Sequence, residues 1–165
     1  MARIRTDLPV LPSLLDRLID DDPDRSLEAV KPAGVVLADI KANIRRDLEN
    51  LLNTRIYRQL SIDAYPELQK SLVNYGIKDF SHVQFDSDEE RIQFAWSIRR
   101  AIEDYEPRFQ WVQVDIEPFG EDFQRTLYLK ISATLLIEPD PVPLIFDSRV
   151  RTTDRALKLR EVNHG

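Results

Sequence analysis

The hydrophobic pattern of this chain changes its period once, at Pro107. Before this proline, apolar side chains recur at steps of three and four residues, which is typical of amphipathic helices. After it, apolar and polar side chains alternate, which is typical of half-buried strands. Helices therefore come first along the chain and strands last. This order predicts an α+β fold, in which N-terminal helices pack on a small C-terminal antiparallel sheet of three to four strands.

Three helices are expected before this change of period, in addition to a short one near the N-terminus. The longest ends near Asn53, where the sequence favours leaving the helix. A shorter helix begins at Pro66 and ends at Gly76 in a left-handed conformation. The last begins at Ser87, which forms a capping box with Glu90. The apolar face of the longest helix consists of Leu37, Ile40, Ile44, Leu48, Leu51 and Leu52, and that of the last consists of Ile92, Ala95, Ile98, Ile102 and Tyr105, with Trp96 beside it.

Alternation after Pro107 predicts strands in the stretches 109–117, 125–137, 144–150 and 156–162. The second stretch alternates most regularly, and the side chains on its apolar side are Leu127, Leu129, Ile131, Ala133, Leu135 and Ile137. The first stretch has apolar side chains on both sides, namely Val112, Val114 and Ile116 on one and Phe109 and Trp111 on the other. The start of the first strand is therefore expected to be covered on both faces.

Residues 1–32 are expected to form a separate lead, made of an extended start, a short helix and a linker. The stretch SLLDRLID places apolar side chains at helical spacing. A helix of two turns is not stable in isolation, so this one has to dock, either on its own domain or on a partner. Residues 33–165 are expected to form a single α+β domain, with helices to about residue 105 and the sheet from about residue 109.

Composition argues against several classes of function. The chain has no cysteine, which excludes disulfides and thiolate metal sites, and its net charge of -6 argues against nucleic-acid binding. Its glycines form no phosphate-binding motif, and His82 and His164 do not make a metal site by themselves, so no cofactor is expected. No apolar run is long enough to span a membrane, and no apolar signal region follows the first residues. A cytoplasmic protein is expected.

Paired carboxylates are the enzymatic pattern that the sequence supports best. The candidates are Glu103, Asp104 and Glu106, or Asp115 and Glu117. A glycosidase holds two such groups roughly 5 to 9.5 Å apart across a cleft, and one of them lies in a setting that raises its pKa. None of the candidates lies in a clearly apolar setting, so no catalytic residue is expected.

The stretch DYEPRF, residues 104–109, combines a helix stop with an isolated charge pair. Glu103 and Asp104 have arginines four residues earlier as helical partners, whereas Glu106 has none and lies at the negative end of the helix. Pro107 pushes Glu106 out of the helical region, and in an extended segment the side chains of Glu106 and Arg108 lie on the same side. Two interpretations stay open. The pair is either exposed and contributes little stability, or it belongs to a rigid bend that presents an acid and an arginine to a partner.

Four segments of the chain, PSLLDRLIDDDP, IRRDLENLLNTR, LVNYGIKDF and IEDYEPRF, together resemble the TssE family of baseplate wedge components in bacterial type VI secretion systems. The resemblance covers nearly the whole chain. TssE is related to a small wedge protein of contractile phage tails, in a family once labelled lysozyme-like. The wedge role implies a structural protein that is not an enzyme, and the old label implies a peptidoglycan hydrolase as the alternative.

The resemblance implies a large hetero-oligomeric assembly, in a cytoplasmic baseplate docked at the inner membrane, without membrane insertion of this chain. Proteins of the family join the wedge built from TssF and TssG, with TssK beneath, to the contractile sheath of TssB and TssC. They support the start of sheath assembly. The family's Glu-Pro-Arg motif matches Glu106, Pro107 and Arg108, which by resemblance contact the core of the wedge.

The terminal strands are the second interface that the resemblance implies. Family members present a small sheet like that of the sheath subunits, which exchange strands with their neighbours. The candidates in this chain are residues 144–150 and 156–162, and in the latter Leu157 and Leu159 alternate with charged residues as in a half-buried edge strand. A hairpin within the chain or a frayed tail is the alternative for this region.

Overall fold

The computed structural model describes residues 14, 18, 32–56, 65–69, 71–80, 85, 87–118, 126–137, 140–151 and 157–162. The helices whose bounds are described are α1 (Ala33–Asn53), α2 (Pro66–Gln69) and α3 (Asp88–Tyr105), with a 3-10 turn at Leu72–Asn74. The strands are β1 (Phe109–Pro118), β2 (Thr126–Leu135), β3 (Val142–Arg151) and β4 (Arg160–Glu161). Helices precede strands, which confirms the predicted α+β class.

The strands form one antiparallel sheet in the order β1-β2-β3-β4, so each strand pairs with the next along the chain. Val114 of β1 opposes Ile131 of β2, which in turn opposes Phe146 of β3. This register aligns the apolar positions of neighbouring strands on one face of the sheet. The predicted sheet is confirmed, although β4 is much shorter than the predicted stretch 156–162.

One hydrophobic core joins α1, α3 and the apolar face of the sheet. Burial of a large apolar side chain contributes roughly 1.5–3 kcal/mol, so this core dominates the stability of the domain. The predicted apolar face of α1 is confirmed, apart from partly exposed Leu37. The largest fully buried side chains are Phe85, Phe146, Ile44, Leu48, Leu52, Ile77, Ile98, Ile102, Leu127, Leu129, Ile131 and Leu135.

Helix α3 begins at the predicted capping box. The Ser87 hydroxyl accepts a hydrogen bond from the Glu90 backbone N–H at 3.2 Å, and the Glu90 carboxylate accepts one from the Ser87 N–H at 3.2 Å. Ile98 and Ile102 are buried as predicted, but Ile92 is 67% exposed, so its assignment to the core was wrong. The reason is geometric, because Ile92 lies about 120° around the helix from Ile98.

The predicted helix from Pro66 is broken. It consists of α2 and the separate 3-10 turn, which Ser71 caps by accepting from the backbone N–H of Val73. Gly76 has the predicted positive φ, at 117°. A Cβ atom at Gly76 would lie 2.4 Å from the carbonyl oxygen of Thr54, because the chain forms a parallel bridge there between Arg55 and Ile77.

The start of β1 differs from the prediction. A register shift between Phe109 and Trp111 interrupts the pairing with β2. Phe109 packs against the core, whereas Trp111 is 49% exposed on the opposite side of the sheet. The expectation that both faces are covered here is therefore wrong for Trp111.

Part of the sequence interpretation falls on residues outside those described. Of the predicted lead, Leu14, Leu18 and Pro32 are described, and all three are exposed, with Leu14 and Leu18 helical. The rest of the lead, His82, His164 and the side chain of Glu117 lie outside the described residues. The division of the chain into a lead and one domain stays a prediction.

Candidate functional site

The turn between α3 and β1 is the site that the sequence singled out. Glu106 follows the last residue of α3, and its backbone N–H donates to the carbonyl of Ile102 at 2.8 Å. Its φ and ψ of -121° and 79° lie outside the helical region, as expected for a residue before proline. The N–H of Phe109 donates back to the carbonyl of Glu106 at 3.3 Å, so the chain turns sharply around Pro107.

Glu106 and Arg108 form a two-point ion pair inside this turn. Nε of Arg108 lies 2.6 Å from Oε1 of Glu106, and Nη2 lies 2.5 Å from Oε2. Glu106 is only 5% exposed. The interpretation of the two residues as an exposed pair is therefore wrong. Parallel hydrogen bonds of this kind fix the guanidinium plane as well as neutralising the carboxylate.

A third member of the site comes from α1. Nη2 of Arg108 also donates to Oδ2 of Asp47 at 2.7 Å, across a separation of 61 residues. Asp47 in turn accepts from Nη2 of Arg46 at 3.1 Å. We refer to Asp47, Glu106 and Arg108 as the corner cluster. It ties α1 to the junction of helix and sheet. Asp47 was not predictable from the sequence, because no local pattern indicates a contact across 61 residues.

The electrostatics of the corner cluster keep Arg108 charged. Its hydrogen bonds to Glu106 raise the pKa of Arg108 most, burial opposes this rise, and its hydrogen bond to Asp47 adds to it. The pKa of Tyr75 is raised, first by burial and then by the negative charges of Asp47 and Glu106. Tyr75 packs edge-on against the ring of Tyr105, with ring centroids 5.2 Å apart.

We call the turn between α3 and β1 the corner. Only part of the corner cluster lies at its surface. Pro107 is exposed, and the side chains of Arg108 and Asp47 are partly exposed, whereas that of Glu106 is enclosed. Within the described part of the chain, Nη1 of Arg108 makes no hydrogen bond. The corner therefore presents a proline and an oriented guanidinium with a remaining donor group.

The predicted carboxylate candidates do not combine into a catalytic pair. The carboxylate of Glu103 lies 2.8 Å from Nε of Arg99, and that of Asp104 lies 3.7 Å from Nε of Arg100, as the helical spacing predicted. Asp115 accepts hydrogen bonds from the side chain of Gln113 at 3.0 and 3.1 Å. In the part of the chain that the structure describes, no group of three metal-ligating side chains occurs, and no helix is long and apolar enough to cross a bilayer.

Leu157 and Leu159 lie away from the corner, in the hydrophobic core. The N–H of Leu157 donates to Oδ1 of Asn53 at 2.6 Å, and Nδ2 of Asn53 donates to the carbonyl of Leu157 at 2.9 Å. The N–H of Leu159 donates to Oε1 of Glu49 at 2.8 Å. Further along, Nζ of Lys41 lies 2.7 Å from Oε1 of Glu161. In this chain the terminal segment is thus bound by side chains of α1, which the sequence pattern did not indicate.

Comparison with known proteins identifies the family of the chain. A family model described as "Baseplate wedge protein gp25" matches residues 38–140, which include most of α1, all of α3, the corner and the first two strands. No curated protein sequence matches the chain. Among solved structures, a chain of "The baseplate complex from the type VI secretion system" is similar, with 13% sequence identity and a TM-score of 0.43, over 77% of this chain and 97% of that chain. Because the family model matches more than half of its residues, the chain belongs to the family of baseplate wedge protein gp25.

Proposed function

We propose that the chain is a structural subunit of a type VI secretion baseplate. In this role it joins the TssF–TssG wedge, with TssK beneath, to the TssB–TssC sheath, and it supports the start of sheath assembly in the cytoplasm at the inner membrane. The observation that carries the proposal is the family match over residues 38–140, because the matched stretch includes Glu106, Pro107 and Arg108. The TssE-like segments of the sequence then favour a secretion system over a phage tail.

The corner supplies the wedge contact in this proposal. Glu106 orients the guanidinium and does not itself reach the partner, because it is buried. Pro107 and the remaining donor of Arg108 form the contact, together with the exposed part of Asp47. A carbonyl or carboxylate of the wedge is the complementary group for Nη1. Because the ion pairs fix the Arg108 side chain before binding, less conformational entropy is lost when the partner binds. This favours Arg108 as an anchor.

The edge of β3 beside the short β4 supplies the sheath contact. β4 spans two residues and pairs with Phe146 and Asp147. The edge of a sheet is a template for an added strand. Leu157 and Leu159 belong to the core of this domain, so a sheath strand would pair with the backbone edge and leave both leucines in place. This proposal keeps the predicted region and changes the role of the two leucines.

Co-purification with co-expressed TssF and TssG tests the wedge contact. Arg108→Ala and Pro107→Glu are expected to reduce recovery of the complex at least tenfold, because the first removes the anchor and the second puts an acid on the contact surface. Arg99→Ala is the matched control, since Arg99 is an exposed arginine that pairs with Glu103 on the same helix. Pro107 is exposed, so Pro107→Glu is expected to fold. Recovery of a folded Pro107→Glu variant at the wild-type level would contradict the assignment.

A further inference from the structure

A groove runs along α3 on the side next to the segment 69–78. Its volume is about 670 Å³, and it is lined by Ile92, Trp96 and Arg100 on α3 and by Asn74 and Lys78 on the other wall, with Ile77 and Tyr105 among its further lining residues. Thirteen residues of helix separate Ile92 from Tyr105, which corresponds to a length of roughly 20 Å. This length suits a helix of three to four turns.

The groove is bordered by apolar side chains that the domain leaves in solvent. Ile92 is 67% exposed and Trp96 is 58% exposed. They are four residues apart, so they lie one above the other on the same stripe of α3. Trp96 lies roughly 160° around the helix from buried Ile98, so packing within the domain does not account for it. A tryptophan and an isoleucine side by side on a surface are typical of a protein contact.

The charged side chains around the groove indicate the charge of the surface that would bind there. Lys78 is exposed and makes no ion pair within the described residues. The guanidinium of Arg100 lies 5.4 Å from the centre of the Trp96 ring, and its contact with Asp104 is long, at 3.7 Å. At the rim of the groove, Lys78 and Arg100 thus carry two positive charges and Asp104 carries one negative charge. A partner with carboxylates beside its apolar side chains is the complementary one.

We propose that this groove binds an amphipathic helix of the wedge partner. The helix presents apolar side chains spaced three or four residues apart to Ile92 and Trp96, and a carboxylate to Lys78 and Arg100. Asp104 and Tyr105 line the groove and directly precede Glu106 in the chain, so the groove and the corner are neighbours at the end of α3. The inference rests on the proposed function, since it extends the same contact along α3.

Binding of the full-length chain to the purified TssF–TssG complex tests the groove. Trp96→Ala and Lys78→Glu are each expected to weaken the complex at least tenfold, because one removes the aromatic anchor and the other reverses the unpaired cation. Trp111→Ala is the matched control, because Trp111 is a similarly exposed tryptophan on the open side of the sheet. If both variants fold and bind with wild-type affinity, the proposed role of the groove is overturned, whereas the proposed function is not. Absence of binding by the wild type would overturn the proposed function and the groove together.

Fluorescence identifies the occupant. In a Trp111→Phe background Trp96 is the single tryptophan, and its emission is expected to shift to shorter wavelength when TssF–TssG is added. The chain's own lead helix is the rival occupant, since Leu14 and Leu18 are also exposed. If Leu18→Asp shifts the emission of the free chain to longer wavelength, the lead helix already fills the groove, and the proposal is overturned. An unchanged emission of the free Leu18→Asp variant supports the external partner.

Discussion

Glu106 is a buried acid at the carboxyl end of a helix, where the helix dipole disfavours negative charge. Arg108 makes this placement stable by giving both carboxylate oxygens a charged hydrogen-bond partner. The sequence predicted that these two side chains lie on the same side of an extended segment. They do meet, although the chain forms a turn there, closed by the hydrogen bond from the N–H of Phe109 to the carbonyl of Glu106. The sequence did not predict the burial or the contact with Asp47, since both depend on how α1 packs across the turn.

Removal of one partner of the pair tests its contribution to stability. Glu106→Ala is expected to lower the free energy of unfolding by about 2–4 kcal/mol, because Arg108 is left partly buried without its main partner. Glu103→Ala, which breaks an exposed helical pair, is expected to cost about 0.5 kcal/mol or less. Urea denaturation of the two variants measures both values. Equal small losses would show that the corner cluster does not stabilise the fold.

Gly76 is required by a close approach of two backbone segments. Gly76→Ala is expected to cost about 2 kcal/mol or more, because of its φ of 117° and the 2.4 Å contact that a Cβ would make with Thr54. Gly34→Ala is the control, since a Cβ there meets nothing within 4 Å. The control is expected to be neutral or slightly stabilising, as Gly34 lies in α1. Thermal unfolding distinguishes the two, and similar melting temperatures would contradict the account.

Tyr75 and Tyr105 give the domain a predicted weakness at alkaline pH. Burial is the first cause that raises the pKa of each tyrosine above the ordinary value of about 10. A raised pKa in the folded state stabilises the fold below the ordinary value, and this contribution is lost as the pH rises through the folded pKa. The free energy of unfolding is therefore expected to fall above about pH 10. Tyr75→Phe should reduce this fall more than Tyr65→Phe, whose ring is exposed, and equal slopes would contradict the assignment.

Helix α1 organises both candidate contact regions. Asp47 holds Arg108 at one end of the sheet, while Glu49 and Asn53 hold the backbone of the terminal segment at the other. A helix that binds two regions through separate side chains fixes their relative position. The geometry of the two proposed interfaces therefore depends on the integrity of α1.

Asn53 is the clearest test of the contact between α1 and the terminal segment. Asn53→Leu is expected to cost about 2–3 kcal/mol, because the N–H and the carbonyl of Leu157 both lose their partners in a partly buried place. Asn50→Leu, an exposed position on the same helix, is expected to change stability by about 0.5 kcal/mol or less. Hydrogen exchange at the Leu157 amide should accelerate in the first variant alone. Unchanged exchange would show that Asn53 does not hold the segment.

Helices α1 and α3 and the first three strands were predictable because their side-chain period indicates which face is buried, whereas the single helix predicted from Pro66 is broken. The short length of β4 was not predictable, because alternation indicates burial and not strand pairing. Leu157 and Leu159 alternate with exposed residues, yet their backbone bonds go to side chains of α1. Ile92 shows a second limit of such predictions. Apolar residues at steps of three and four can belong to more than one face of a helix, and Ile92 lies on the face of α3 that borders the groove.

The arrangement of the sheet separates the two proposed interfaces. β1, which follows the corner, forms one edge, while β3 and the short β4 lie toward the other. With neighbouring strands about 4.8 Å apart, β1 and β3 are separated by roughly 10 Å. In the proposed function, the two partners therefore approach different edges of the sheet.

The alternative function as a peptidoglycan hydrolase makes a distinct prediction. The described carboxylate candidates are each held by an arginine or a glutamine side chain, and Glu106 is enclosed by its ion pair with Arg108. The purified chain is therefore expected to release no soluble fragments from purified peptidoglycan. Release that is lost on replacing one carboxylate would favour the enzyme over the structural subunit.

Sheath polymerisation from an isolated baseplate tests the central proposal most directly. Purified TssK–TssF–TssG complexes, with or without this chain, are mixed with TssB and TssC, and the lag before sheath growth is measured by light scattering. We expect the wild-type chain and the Arg99→Ala control to shorten the lag, and the Pro107→Glu variant to leave it as long as in the absence of the chain. Equally fast sheath growth with and without the chain would contradict the account.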